Sequence, residues 1–143
     1  MTDAVNQRLM SDIDQENIAF WNELCGTHLA DLLGITDSSP ASLNKFDDWF
    51  FDFYPYLFDH VPLSELAGKD VLEVGCGTGR LTLAYGARAR SVLAIEPNAK
   101  ILARARSRAR RAGLGHVRFA ARPAQTGIRG GPFDVVLFSW SLC

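Results

Sequence analysis

The apolar positions of the chain follow two different rhythms. Ile18, Trp21, Leu24, Cys25, Leu29 and Leu32 recur at helical spacing, which predicts a helix from Asn17 to Leu33 with Gly34 as its stop. A linker from Thr36 leads to Ser39-Pro40, a cap and first-turn pair for a second helix. Leu43, Phe46, Trp49, Phe50, Phe53 and Leu57 line one face of that helix, and Pro55 is expected to kink or end it. The aromatic density from Phe46 to Phe58 fits a packing surface or a lid over a ligand.

From Val61 onward short apolar runs alternate with helical segments. Leu66 to Lys69 turns into a first strand, Val71 to Val74, and a helix is predicted from Arg80 to Arg88. A second strand spans Ser91 to Ile95. Asn98 then caps a helix from Ala99 to Ala112, ended by Gly113 and Gly115. A third strand covers Val117 to Ala121. A loop marked by Gly127, Gly130, Gly131 and Pro132 precedes a fourth strand, Phe133 to Phe138. This alternation predicts an α/β fold with a parallel, Rossmann-like sheet and right-handed crossovers, preceded by a helical extension. The expected division is residues 1–62 for the extension and 63–143 for the sheet domain.

The turn after the first strand carries the chemistry. Residues 70 to 79 read Asp-Val-Leu-Glu-Val-Gly-Cys-Gly-Thr-Gly, with glycines at 75, 77 and 79. Glycine permits positive φ and close approach of the backbone to a ligand. A dinucleotide fingerprint would need glycine at position 80, which is Arg80. That disfavours a nicotinamide enzyme. Glu73 suits a cationic ligand better than a pyrophosphate. Glu96 lies at the end of the second strand, where an acid hydrogen-bonds ribose hydroxyls in folds of this type.

The E-x-G-x-G-x-G pattern from Glu73 to Gly79 resembles motif I of the class I S-adenosylmethionine-dependent methyltransferases. The resemblance implies methyl transfer from S-adenosylmethionine to a small-molecule acceptor. It implies cofactor contacts from Glu73, Gly75, Cys76, Gly77, Thr78 and Gly79, from Glu96 and Pro97, and from Gln125 and Ser139. Glu96 is the matching ribose position. The segment after the third strand, Ala120 to Gln125, lacks the acid that often meets the adenine, which leaves Gln125 or the backbone near Ala124. Ser139, Trp140 and Ser141 are expected to line the site rather than act as a base. The family sheet has seven strands and the pattern supplies four. The resemblance therefore implies an N-terminal portion truncated after the fourth strand, with that strand's outer edge open to self-association. A non-catalytic, cofactor-binding subunit associating through this edge is the alternative. The acceptor atom, O, N or C, is chosen in the family by segments beyond the fourth strand.

Composition adds limits. The 143 residues suffice for one domain, and the net charge of −1 gives no overall bias toward nucleic acid or acidic membranes. Charge is nevertheless uneven. Up to Asp70 the basic residues are Arg8, Lys45 and Lys69; after it the acids are Glu73, Glu96 and Asp134. The asymmetry fits an acidic segment docking on a basic one, or a polyanion site. The arginines at 104, 106, 108, 110 and 111 spread around a helix and read as its solvated exterior, so no nucleic-acid partner is expected. Cys25, Cys76 and Cys143 have no framework spacing and point to a reducing compartment. His28, His60 and His116 lack metal-ligand spacing. No secretory signal is expected in Met1 to Asp14, and no run approaches the roughly 18 apolar residues of a membrane span. These features predict a cytoplasmic protein.

Overall fold

The computed structural model describes residues 28–37 and 39–138. The predicted helix face of Ile18, Trp21, Leu24 and Cys25 lies outside the described residues, as do Ser139, Trp140 and Ser141. The chain divides into two compact units, residues 1–53 and 54–143.

In the first unit, helix α1 covers His28–Leu32 and α2 covers Pro40–Phe53. Gly34, at φ 63°, ends the first of these; its N–H bonds to the Asp31 carbonyl at 3.0 Å. Ser39 caps α2, with its hydroxyl accepting from the Ser42 N–H at 3.3 Å. Asp37 braces the cap by accepting from Ser39 N at 2.9 Å and Ser42 Oγ at 2.7 Å. These bonds, led by those from the two serines, hold its carboxyl at about 2. Trp49 and Phe53, one turn apart, stack with ring centroids 4.9 Å apart. Helix α2 stops at Phe53 instead of reaching Leu57, because the proline ring at 55 disfavours helical conformation at Tyr54.

The second unit opens with a short helix, α3 (Leu57–His60), and a 3₁₀ turn at Leu63–Leu66. Then follow β1 (Asp70–Val74), α4 (Arg80–Tyr85), β2 (Ser91–Glu96), α5 (Ala99–Arg111), β3 (Val117–Ala121) and β4 (Val135–Phe138). The four strands form one parallel sheet in the order β3-β2-β1-β4. Val71, Leu72, Glu73 and Val74 are all buried, as befits a central parallel strand covered on both faces. One face packs Leu72, Val74 and Ile95 against Leu93, Ala120, Ala124, Ile128 and Phe133.

Five predicted boundaries of this unit shift; among them, β1 begins at Asp70 and α5 ends at Arg111, each one residue from its expected place. Helix α4 ends at Tyr85, and residues 86–90 form turns and bends rather than helix. Strand β2 extends by one residue to include Glu96. Strand β4 begins at Val135, because Phe133 is packed into the core and Asp134 turns toward Asp70. In β4 the side chains alternate, leaving Val136 and Phe138 48% and 47% exposed. Its ladder runs along β1 from Val71↔Val135 to Val74↔Phe138.

The order has a functional consequence. The chain moves outward from β1 to β2 to β3, then crosses back to the other side of β1. The reversal lies between β1 and β4. In open α/β sheets ligands bind outside the carboxyl ends of strands at such a reversal. Among the described residues, no helix is long and apolar enough to cross a membrane.

Candidate functional site

The turn from β1 into α4 occupies this end of the sheet. Gly75, Gly77 and Gly79 have φ of 75°, 54° and 80°, all in the left-handed region that favours glycine. The end of β2 holds the turn: the Ile95 carbonyl accepts from Gly75 N at 2.9 Å and from Cys76 N at 3.1 Å. Gly79 N closes on the Cys76 carbonyl at 2.8 Å.

Two of these glycines serve different purposes. A Cβ on Gly79 would lie 3.2 Å from the Ala105 Cβ, so this glycine lets α5 approach the turn. A Cβ on Gly77 would meet nothing within 4 Å. Gly77 therefore borders open space, where a bound molecule can approach the backbone.

Glu96 joins the turn from β2. Its Oε2 accepts from Gly77 N at 3.2 Å, and its Oε1 accepts from Asn98 N at 3.0 Å. A carboxylate has about four acceptor positions. These bonds take one on each oxygen, and the half-buried side chain retains acceptor capacity for hydroxyl groups. Asn98 caps α5 by accepting from Lys100 N at 3.0 Å and Ile101 N at 3.2 Å. Pro97 is exposed between these two anchors.

Glu73 points elsewhere. It is fully buried, and its Oε2 accepts from Thr82 Oγ1 at 2.6 Å and Tyr85 OH at 2.8 Å. Those bonds tie β1 to α4, so the acid braces the turn from behind. Burial, then the negative charge of Glu73, push the Tyr85 hydroxyl far above its ordinary range and keep it a donor. Cys76 is buried, and burial followed by the charges of Glu73 and Glu96 raises its thiol well above the ordinary value. It is a small residue in a tight turn and not a reactive thiolate.

The segment after β3 is drawn to the same end by Arg122 N donating to the Glu96 carbonyl at 3.2 Å. Gln125 lies exposed on the 3₁₀ turn Ala124–Thr126. Ser139 lies outside the described residues.

A family model described as a methyltransferase domain matches residues 71–143. The chain belongs to that family. Among solved structures, the StiE O-MT structure of residues 961–1257 is 20% identical, with TM-score 0.56, covering 76% of this chain and 39% of that one. The YcgJ protein from Bacillus subtilis is 21% identical, with TM-score 0.51 and coverage of 57% and 37%. A dimethyladenosine transferase from Plasmodium falciparum is 24% identical, with TM-score 0.53 and coverage of 59% and 31%. At these identities the likeness establishes the fold: the four strands match part of the class I methyltransferase sheet. The chain spans between about a third and two fifths of the length of these structures. No curated protein matches the chain.

Membership of the methyltransferase family implies S-adenosylmethionine as the methyl donor. The open space at Gly77 and the acceptor capacity of Glu96 fit that group. Sequence reasoning missed three residues that shape this candidate site. Thr82 and Tyr85 hold Glu73. Arg108, expected on the helix exterior, is only 8% exposed, and its Nη1 donates to the Thr78 carbonyl at 3.2 Å. Its neighbours Arg104, Arg106, Arg110 and Arg111 are exposed as expected. The signal was present, since Arg108 falls one turn from Ala105 and adjoins the apolar face of α5.

Proposed function

We propose that this chain is the cofactor-binding part of an S-adenosylmethionine-dependent methyltransferase acting on a small-molecule acceptor. The observation that carries the reading is the hydrogen bond from Gly77 N to Glu96 Oε2, which brings the glycine turn and the candidate ribose acid together at the reversal of strand order. In this reading Gly75, Cys76, Gly77, Thr78 and Gly79 supply backbone contacts. Glu96 receives ribose hydroxyls, with Pro97 beside it. Gln125 and Ser139 complete the adenine and methyl ends. Glu73 acts from behind the turn. Residues 63–143 form the cofactor domain and residues 1–62 the acceptor-side extension, in the cytoplasm.

The bound cofactor supplies a methyl group on a sulfonium, a good leaving group that needs little acid–base assistance. The chain's own task is then to bind and orient. Calorimetry with S-adenosylhomocysteine and with NAD tests the reading. Binding of the first and not of the second is expected. Equal binding of both, or of neither, overturns it.

A second reading is a non-catalytic, cofactor-binding subunit. The observation favouring it is the exposure of Val136 and Phe138 on β4, which pairs with β1 alone among the described residues. Such a subunit binds the cofactor and associates through that edge without turning over any acceptor. Multiple turnovers by the isolated chain exclude it.

A further inference from the structure

Three successive residues of the glycine turn are gripped from outside it. Gly77 donates its N–H to Glu96 Oε2 at 3.2 Å. Thr78 offers its carbonyl to Arg108 Nη1, also at 3.2 Å. Gly79 fits against Ala105, one helical turn before Arg108 on α5. Carboxylate and guanidinium thus hold the peptide groups on either side of the Gly77–Thr78 bond: the carboxylate accepts from an N–H and the guanidinium donates to a C=O. Bonds of this type, with one partner ionised, are stronger than neutral ones and sharper in direction. Arg108 is buried and its bond to the carbonyl part-buried, so competition from water is reduced.

We propose that Arg108 is a positioning residue for the cofactor turn: through the Thr78 carbonyl it fixes the left-handed backbone at Gly77 and Gly79, so that α5 sets the shape of the site. The proposal deepens the cofactor reading and rests on it for its effect on affinity. Its effect on the turn itself does not need a ligand. Arg108 touches no reacting atom in this account. It acts by reducing the range of shapes the turn samples before the ligand arrives, which lowers the ordering cost of binding.

The test uses the full chain labelled with ¹⁵N-glycine, as wild type, Arg108→Met and Arg108→Lys. Methionine keeps most of the apolar stem, and lysine keeps the charge without the planar donor fork. Amide resonances of Gly77 and Gly79 are expected to shift or broaden in Arg108→Met, while those of Gly68 and Gly127 stay in place. The dissociation constant for S-adenosylhomocysteine is expected to rise roughly tenfold or more, the effect of one lost charge-assisted hydrogen bond. Lysine is expected to restore part of both.

Unchanged Gly77 and Gly79 resonances and unchanged affinity in folded Arg108→Met overturn the proposal. Should Arg108→Met unfold, Arg108→Lys decides by the same two readouts; unfolding of both makes Arg108 a residue of the fold alone and overturns positioning. A wild type that binds no S-adenosylhomocysteine overturns the cofactor reading instead, and the glycine resonances still decide the role of Arg108.

Discussion

Asp70 and Asp134 hold each other by reciprocal bonds at the amino-terminal ends of β1 and β4. Asp70 N donates to Asp134 Oδ2 at 2.8 Å, and Asp134 N donates to the Asp70 carbonyl at 2.8 Å. Arg90, just before β2, bridges both carboxylates. Its Nε bonds Asp70 Oδ1 at 3.0 Å, its Nη2 bonds Asp134 Oδ2 at 3.1 Å, and the same Nη2 pairs with Asp70 Oδ2. Three strands are thus pinned at the end opposite the glycine turn.

This cluster predicts an acid limb in stability. Bonds from Arg90 first, then Ser91, lower the Asp70 carboxyl from 3.8 to about 2. A carboxyl depressed in the folded state contributes stability above its unfolded value and loses it as pH falls through the folded one. The loss therefore falls between about pH 4 and pH 2. Asp37 adds to the same window from the first unit. Urea midpoints measured across that range should fall less steeply for Asp70→Asn than for wild type. Equal slopes would remove the assignment.

Gly77→Val and Gly79→Ala should fail differently. Both force a side chain into left-handed backbone, at roughly 1–2 kcal/mol. At Gly77 the new side chain enters open space, so the fold persists and binding of S-adenosylhomocysteine is lost. At Gly79 it also presses on Ala105, so melting temperature falls further. Calorimetry and thermal unfolding on the two variants check this. Undiminished binding by Gly77→Val would refute the first half.

Glu96→Ala should weaken S-adenosylhomocysteine by about 1.5–3 kcal/mol, the range for hydrogen bonds to a charged group. Glu96→Gln should cost less, because the amide keeps one oxygen to accept from Gly77 N. Titration calorimetry on both variants decides. The ribose assignment fails if the alanine variant binds like wild type.

The exposed face of β4 makes a prediction about association. Val136 and Phe138 present apolar surface, and uncovered strand edges pair with other chains. Sedimentation velocity should find self-association, which Val136→Lys reduces. A monodisperse wild-type monomer at high concentration would contradict this.

Local features of the site were legible in the chain. Alternate glycines after an apolar run place the turn, and all three take the positive φ that glycine permits. Asn98 reads as a cap because its side chain serves N–H groups two and three residues later. What was not legible depends on side chains reaching far along the sequence. Glu73 suits a cationic ligand by type, yet it accepts from hydroxyls nine and twelve residues on, set by how α4 packs on β1. Arg108 belongs to a run of arginines; its place one turn from Ala105 sets it beside the apolar face, but its partner lies in a turn thirty residues earlier. The end of α2 at Phe53 was foreseen only in part, because a proline restricts the residue before it as well as itself.

The strand order also sets a sequence of events in folding. Strand β2 meets β1 across 21 residues, as in the Ser91–Asp70 bond, whereas β4 meets it across 64, as in Asp134–Asp70. Closing the longer loop costs about 1 kcal/mol more in chain entropy, taking the logarithmic dependence on length. The β1–β2–β3 half can therefore assemble before β4 arrives, and pulse-labelled hydrogen exchange should protect Leu72 and Val92 earlier than Val136. Simultaneous protection would argue against this order. A chain leaving the ribosome would complete its glycine turn against β2 while the strand on the other side of the reversal was still being made.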